Sequence, residues 1–121
     1  MVVTSVLSTD AEMIAMAGEN VDATGFTDAN KEVWGIQAEG FLCCLINYDL
    51  ITNVSTLNPF FEKILSEYVA RYVGIQAIAY NTFGYSSRVE AEDMMNVHIY
   101  RMEKIEQLLL KPEVLTSLGV V

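Results

Sequence analysis

The feature that most restricts the fold is the stretch Tyr72-Val73-Gly74-Ile75-Gln76-Ala77-Ile78-Ala79-Tyr80. It closes a predicted helix that begins at Asn58 as N-cap with Pro59 at the first helical position, where proline's fixed φ and missing N–H are harmless. The first half of this helix keeps a polar stripe of Glu62, Lys63, Ser66, Glu67 and Arg71, whereas the second half is apolar nearly all round. A helix apolar on every side must be covered on every side. Either it is the central helix of the chain, or a neighbouring subunit completes its cover.

The rest of the chain supplies more helices. Thr9-Asp10-Ala11-Glu12 is a capping box, followed by Met13, Ile14, Met16 and Ala17 and stopped by Gly18. Residues 19–26 read as a loop. Thr27 caps a second helix with Asp28 in its first turn, and Trp34, Ala38, Phe41, Leu45 and Tyr48 recur at helical spacing as its core face. Asp28, Glu32, Gly35 and Glu39 form a second, acidic stripe expected to be well solvated, because like charges four apart repel. Gly35 and Gly40 each cost about 1 kcal/mol in a helix interior, and close approach of another backbone is the expected return. Asn81 to Tyr85 is a turn, and Ser87-Arg88-Val89-Glu90 is a second capping box opening a helix that runs to about Leu110. Ala91, Met94, Met95, His98, Met102, Ile105 and Leu109 make its apolar stripe. Pro112 ends or bends it, leaving a short oily tail from Glu113 to Val121.

The expected fold class is therefore all-α: a small bundle of about four helices, with the two long C-terminal ones antiparallel. At 121 residues the chain holds one domain. Its expected parts are an N-terminal arm at 1–8, the bundle at 9–110 and a C-terminal arm at 111–121. With 52% apolar residues and only two prolines, the composition is that of a packed globule. No apolar run approaches the roughly 20 residues of a membrane span, and the first residues lack the basic flank of a signal peptide. A soluble protein of the cytosol, or of a particle assembled there, is expected.

Charge narrows the partners. Sixteen acidic against seven basic residues give a net charge of −9, and eight acids face the single Lys31 within the first fifty residues. Such a chain has no electrostatic footprint for gripping nucleic acid or an anionic membrane, although it can surround DNA without holding it. Cys43 and Cys44 are adjacent, so they form neither an ordinary disulfide nor a metal-ligand spacing, and buried free thiols are expected.

The residues capable of chemistry do not assemble into a motif. His98 is the lone histidine, and position 95, where a di-iron bundle would carry glutamate, is Met95. A core or subunit-interface histidine is the expectation. Glu90, Glu92 and Asp93 satisfy a helix N-terminus and lack the alternating oxygen pattern of a calcium loop. Ser86 and Ser87 have no histidine partner within sequence reach, and the seven glycines match no phosphate-binding pattern. No catalytic residue, cofactor or metal is expected. The apolar tail beyond Pro112 either docks into a partner or packs on its own bundle.

A short capped helix, a helix with an acidic start, the helix Phe60-Phe61-Glu62-Lys63-Ile64-Leu65-Ser66-Glu67-Tyr68-Val69-Ala70-Arg71-Tyr72 running into Ala79-Tyr80-Asn81, then Ser87-Arg88-Val89-Glu90-Ala91-Glu92-Asp93-Met94-Met95-Asn96 and a last helix closing on Lys104-Ile105-Glu106-Gln107-Leu108-Leu109 make up the order of elements. Over residues 9–110 this layout resembles the head–tail connector (adaptor, or head-completion) proteins of tailed bacteriophages. The resemblance implies a structural virion protein at the head–tail junction, assembled in the host cytoplasm as a homo-oligomeric, usually dodecameric ring. The implied partners are the portal protein above and a tail or neck protein below, with DNA passing through unbound and no membrane. On this reading Asp28, Glu32 and Glu39 line the channel. Ile75, Ile78, Tyr80, Met94, Met95, His98 and Met102 make subunit contacts, and Leu115, Leu118, Val120 and Val121 form a portal-docking arm. A rival expectation is a small cytosolic acidic regulatory module that dimerises through helices 3 and 4 and sequesters a basic partner. A third is a helical enzyme using His98.

Overall fold

The computed structural model of the chain describes residues 6–18, 27–80 and 88–119. These residues form five α-helices: α1 (Asp10–Ala17), α2 (Asp28–Ile46), α3 (Pro59–Tyr80), α4 (Arg88–Leu109) and α5 (Pro112–Leu118). A short 3₁₀ turn, Val54–Thr56, lies between α2 and α3. The class is all-helical, as the apolar periodicity requires. The expected turn at 81–85, the cap at Ser87 and the loop at 19–26 lie outside the described residues.

Local chemistry sets the helix ends. Thr9 Oγ1 accepts from Glu12 N at 3.2 Å while Glu12 Oε1 accepts from Thr9 N at 2.8 Å, a complete capping box. Gly18 then ends α1 with φ +83° and its N–H on Ile14 O. Thr27 Oγ1 accepts from Asn30 N at 3.2 Å, and Asn58 Oδ1 accepts from Phe60 N at 2.9 Å. Asn47 closes α2 in the left-handed region at φ 54°, a conformation in which asparagine is less strained than most residues.

Pairs across the bundle give its directions. Phe41 stacks on Tyr68, with ring centroids 6.0 Å apart, and the Tyr72 hydroxyl donates to Gln37 Oε1 at 3.2 Å. As the position rises on α3 it falls on α2, so the two are antiparallel. Tyr68 pairs with Glu106 and Arg71 with His98, so α4 is antiparallel to α3 as well. α1 also packs on α3, which is thus the central helix and is bordered by α1, α2 and α4. Toward its apolar end Val73 and Ile78 are fully buried and Ala77 nearly so, Ile75 is half-buried and Ala79 is exposed.

Three expectations are corrected. First, the inward face of α2 carries Lys31, Gly35, Ala38, Glu39, Leu42 and Ile46. Trp34, Leu45 and Tyr48 only flank this core, and Phe41 is 47% exposed. Two charged residues and a glycine in the buried stripe hid its period. Second, the backbone approach falls at Gly74, not Gly40: a Cβ at Gly74 would sit 3.0–3.1 Å from the Met16 Cβ and backbone, whereas Gly40 faces open space. Third, the described residues form five helices and not about four, because the segment expected as a C-terminal arm is helical over Pro112–Leu118, with Leu118 only 4% exposed in the core.

Candidate functional site

Two places carry the most structure beyond simple packing. The first is an apolar socket built by the helix ends. Starting α3 at Pro59 places Phe61, Ile64 and Leu65 at helical spacing along one side of its opening turns. Leu108 and Leu109 close α4, and Pro112 turns the chain so that Val114 and Leu118, four apart on α5, come to lie near them. The result is a socket of about 320 Å³ lined by Phe60, Phe61, Ile64, Leu108, Leu109, Val114 and Leu118. Phe60 stands at its edge, 81% exposed. A space this large far exceeds the voids left inside protein interiors, so it is an open apolar hollow at the helix ends. Every lining side chain is apolar. A small-molecule site would add a few convergent polar groups to fix orientation. What suits this socket is an aliphatic or aromatic anchor from another polypeptide.

The second place is a buried polar junction of α1, α3 and α4. His98, 7% exposed, lies 2.9 Å from Met16 O through Nε2 and 2.9 Å from Arg71 Nη1 through Nδ1. A carbonyl oxygen only accepts and a guanidinium only donates, so the ring is neutral, with its proton on Nε2. Burial, together with the Arg71 guanidinium, holds its pKa below the ordinary imidazole value, and the Met16 carbonyl opposes this only in part. Arg71 Nε also donates to Glu67 Oε2 at 2.7 Å, and Arg101 binds the same carboxylate through Nε at 2.7 Å and Nη2 at 3.2 Å. Arg101 first, and Arg71 after it, hold the Glu67 carboxyl below its usual range despite partial burial. Nearby, the Tyr68 hydroxyl donates to Glu106 Oε2 at 2.7 Å, and burial and that carboxylate raise its pKa. With His98 7% exposed and bonded at both ring nitrogens, the geometry of the junction is that of a structural tie.

The remaining expected site residues are dispersed. Glu39 is 4% exposed, and its Oε2 accepts from the backbone N–H groups of Val6 and Leu7, each at 2.7 Å. It clasps the N-terminal segment and does not belong to a solvated acidic face. Asp28 lies 3.4 Å from Lys31 Nζ, and Glu32 is half-buried. Of the expected subunit contacts, Ile78, His98 and Met102 are buried in the chain's own core. Ile75, Met94 and Met95 are half-buried beside it. The Tyr80 side chain, Val120 and Val121 lie outside the described residues, and Leu115 packs against the core. Cys43 is half-buried but Cys44 is exposed, which corrects the expectation of two buried thiols. Glu92 and Asp93 are exposed on the first turns of α4.

Sequence reasoning missed the socket, the Glu39 clasp and the Arg71–His98 tie, all of which join residues far apart in the chain. Among the described residues no cluster of three or more histidine, cysteine or acidic side chains is placed to hold a metal ion. No described helix is long and apolar enough to cross a membrane. Comparison of the chain with protein families, with characterised proteins and with solved structures finds no match.

Proposed function

We propose that the chain is a non-enzymatic assembly protein, and specifically a head–tail connector of a tailed-phage virion that forms a ring beneath the portal. The observation that carries this reading is the all-apolar socket at the meeting of α3, α4 and α5, with Phe60 exposed at its edge. An unfilled socket without polar groups is built for a side-chain anchor of another protein. The resemblance in helix order supplies the kind of assembly, and the net charge of −9 suits a surface that lets DNA slide past. With Glu39 turned inward, Asp28 and Glu32 remain as channel-lining acids. Ile75, Met94 and Met95 remain as subunit contacts, with Leu115 and Leu118 beside the portal-facing socket.

A specific observation also favours a second reading, the dimeric regulatory module. Ala29, Val33, Ile36, Gly40 and Cys44 are all exposed and follow one another at helical spacing along α2, without a charge among them. Such a face suits helix pairing between two copies, through α2 and not through α3 and α4 as the sequence suggested.

Electron microscopy of the protein mixed with portal particles from its source, with mass photometry alongside, separates the two. A closed ring on one face of the portal supports the connector. A stable dimer that ignores the portal overturns it in favour of the module. Phe60→Asp lies on an exposed side chain and should leave folding intact while abolishing the ring.

A further inference from the structure

α3 packs chiefly against α1, α2 and α4, and those three neighbours leave one side of its apolar half uncovered. Along that side Tyr72, Ile75, Gln76 and Ala79 follow one another at helical spacing; the first three are half-buried and Ala79 is exposed. Beside them α4 presents Ile99, Glu103 and Glu106 at the same spacing, with Ile99 43% exposed. Together these residues bound a groove of about 320 Å³ between α3 and α4. From Ile99 to Glu106 it runs for about 10 Å at the helical rise. A groove between two antiparallel helices is the natural seat of a third.

α2 carries a ridge of the matching kind. Val33 and Ile36 are 52% and 49% exposed, and Ala29, Gly40 and Cys44 continue their line in water. From Val33 to Cys44 the ridge is about 16 Å long, enough to fill the groove. A Cβ at Gly40 would meet nothing within 4 Å. A glycine inside a helix weakens it, and the return is close approach of another backbone. Charge selects the ridge. Copies that each carry −9 repel wherever acids face acids. α4 turns Glu92, Asp93 and Glu103 outward, so it is repelled by a groove rimmed with Glu103 and Glu106. The α2 ridge brings no charge to that rim. Ridge laid on ridge, as in pairing through α2 alone, would leave the α3 groove open.

We propose that α2 of one copy seats the ridge of Val33, Ile36, Gly40 and Cys44 in the α3–α4 groove of the next copy. Ridge and groove are different surfaces, so each joined pair keeps one of each free, and the contact repeats until a ring closes. This contact deepens the ring reading and rests on it for closure, though not on the portal.

Two variants disable one surface each: Ile36→Asp the ridge and Ile99→Asp the groove. Both side chains are exposed in the single chain, so both variants should fold. In sedimentation at rising concentration the unaltered chain should associate, and each variant alone should stay monomeric. Mixed in equal amounts, the two should form a pair and go no further, since one intact ridge meets one intact groove. An unaltered chain still monomeric at about 1 mM overturns the contact. So does a mixture that stays monomeric, or an Ile99→Asp chain that pairs with itself, the mark of α2 against α2. Should either variant not fold, methyl NMR signals of the unaltered chain decide. Those of Ile36 and Ile99 should both shift with concentration, and a shift of Ile36 alone overturns the contact. A ring on the portal that survives both substitutions overturns the contact and leaves the connector standing. A mixed pair from a chain that ignores the portal keeps the contact and ends the connector.

Discussion

α1 and α5 are the two short helices, of eight and seven residues, yet different forces hold them. α1 is tied by polar groups at both ends: Glu39 grips the amides of Val6 and Leu7 just before it, and His98 grips the Met16 carbonyl near its end. Beside these ties Met13 and Ala17 are fully buried. α5 is seated by Val114, Leu115 and Leu118, and its side-chain hydrogen bonds are local, from Thr116 to Pro112 O and from Ser117 to Glu113 O. Directional bonds admit one seating, whereas apolar contact tolerates several. The difference matches the apolar hollow beside α5, one of two of about 320 Å³, the other lying between α3 and α4. It also predicts that α5 opens first in native-state exchange.

The largest effect should come from breaking the ties of α1. Glu39→Ala leaves two buried or half-buried amides without an acceptor and removes two charge-assisted bonds. A loss of about 3 kcal/mol is expected in urea unfolding, since a hydrogen bond to a charged group contributes roughly 1.5–3 kcal/mol and an orphaned donor costs more. A loss below about 1 kcal/mol would mean that the clasp is incidental.

The corresponding change on the other side is Leu118→Ala. It should cost about 2 kcal/mol, the low end for a buried leucine, because the socket beside it is already open and few contacts are lost. A cost near the top of that range, about 5 kcal/mol, would show that α5 is as tightly specified as α1 and would end the contrast.

The glycines sharpen the comparison further. Gly74→Ala gains up to about 1 kcal/mol of helix propensity but drives a methyl into the Met16 backbone, where relief requires moving all of α1. A net loss of about 1–2 kcal/mol is expected, with faster exchange in α1. Gly40→Ala meets nothing within 4 Å and should stabilise by up to about 1 kcal/mol. Equal signs for the two would mean that α1 yields easily.

These same residues show what was legible beforehand. Thr9, Thr27 and Asn58-Pro59 announce their helices because a cap is made by neighbours in sequence. The antiparallel α3–α4 pair and the central place open to α3 follow from apolar spacing. The inward face of α2 does not, because Glu39 is satisfied by amides more than thirty positions away and periodicity counts it as surface. Gly40 and Gly74 look alike as letters, and only the path of α1 distinguishes them. Pro112 reads in sequence only as a stop or bend, yet in the fold it also starts α5, since N1 is where proline is welcome. The socket belongs to three helix ends that meet only in the folded chain, so no local pattern contains it.

The smallest expected effect concerns the support behind the α1 tie. Glu67 holds both Arg71 and Arg101, and its carboxyl titrates below the ordinary range. A carboxyl with a depressed folded-state pKa adds stability that is present above the unfolded value, about 4.5, and is lost as pH falls through the folded value. Glu67→Gln should therefore flatten the stability profile below about pH 4.5 and cost little at neutral pH, because Arg101 is half in water and solvent screens the pair. Its second consequence is the sharper one. Without the carboxylate Arg71 is free to swing away from His98, so the ring should lose its cationic neighbour and its midpoint should rise toward the ordinary value. A midpoint that does not move in Glu67→Gln would mean that Arg71 is positioned by packing alone, and that the polar seating of α1 ends at His98.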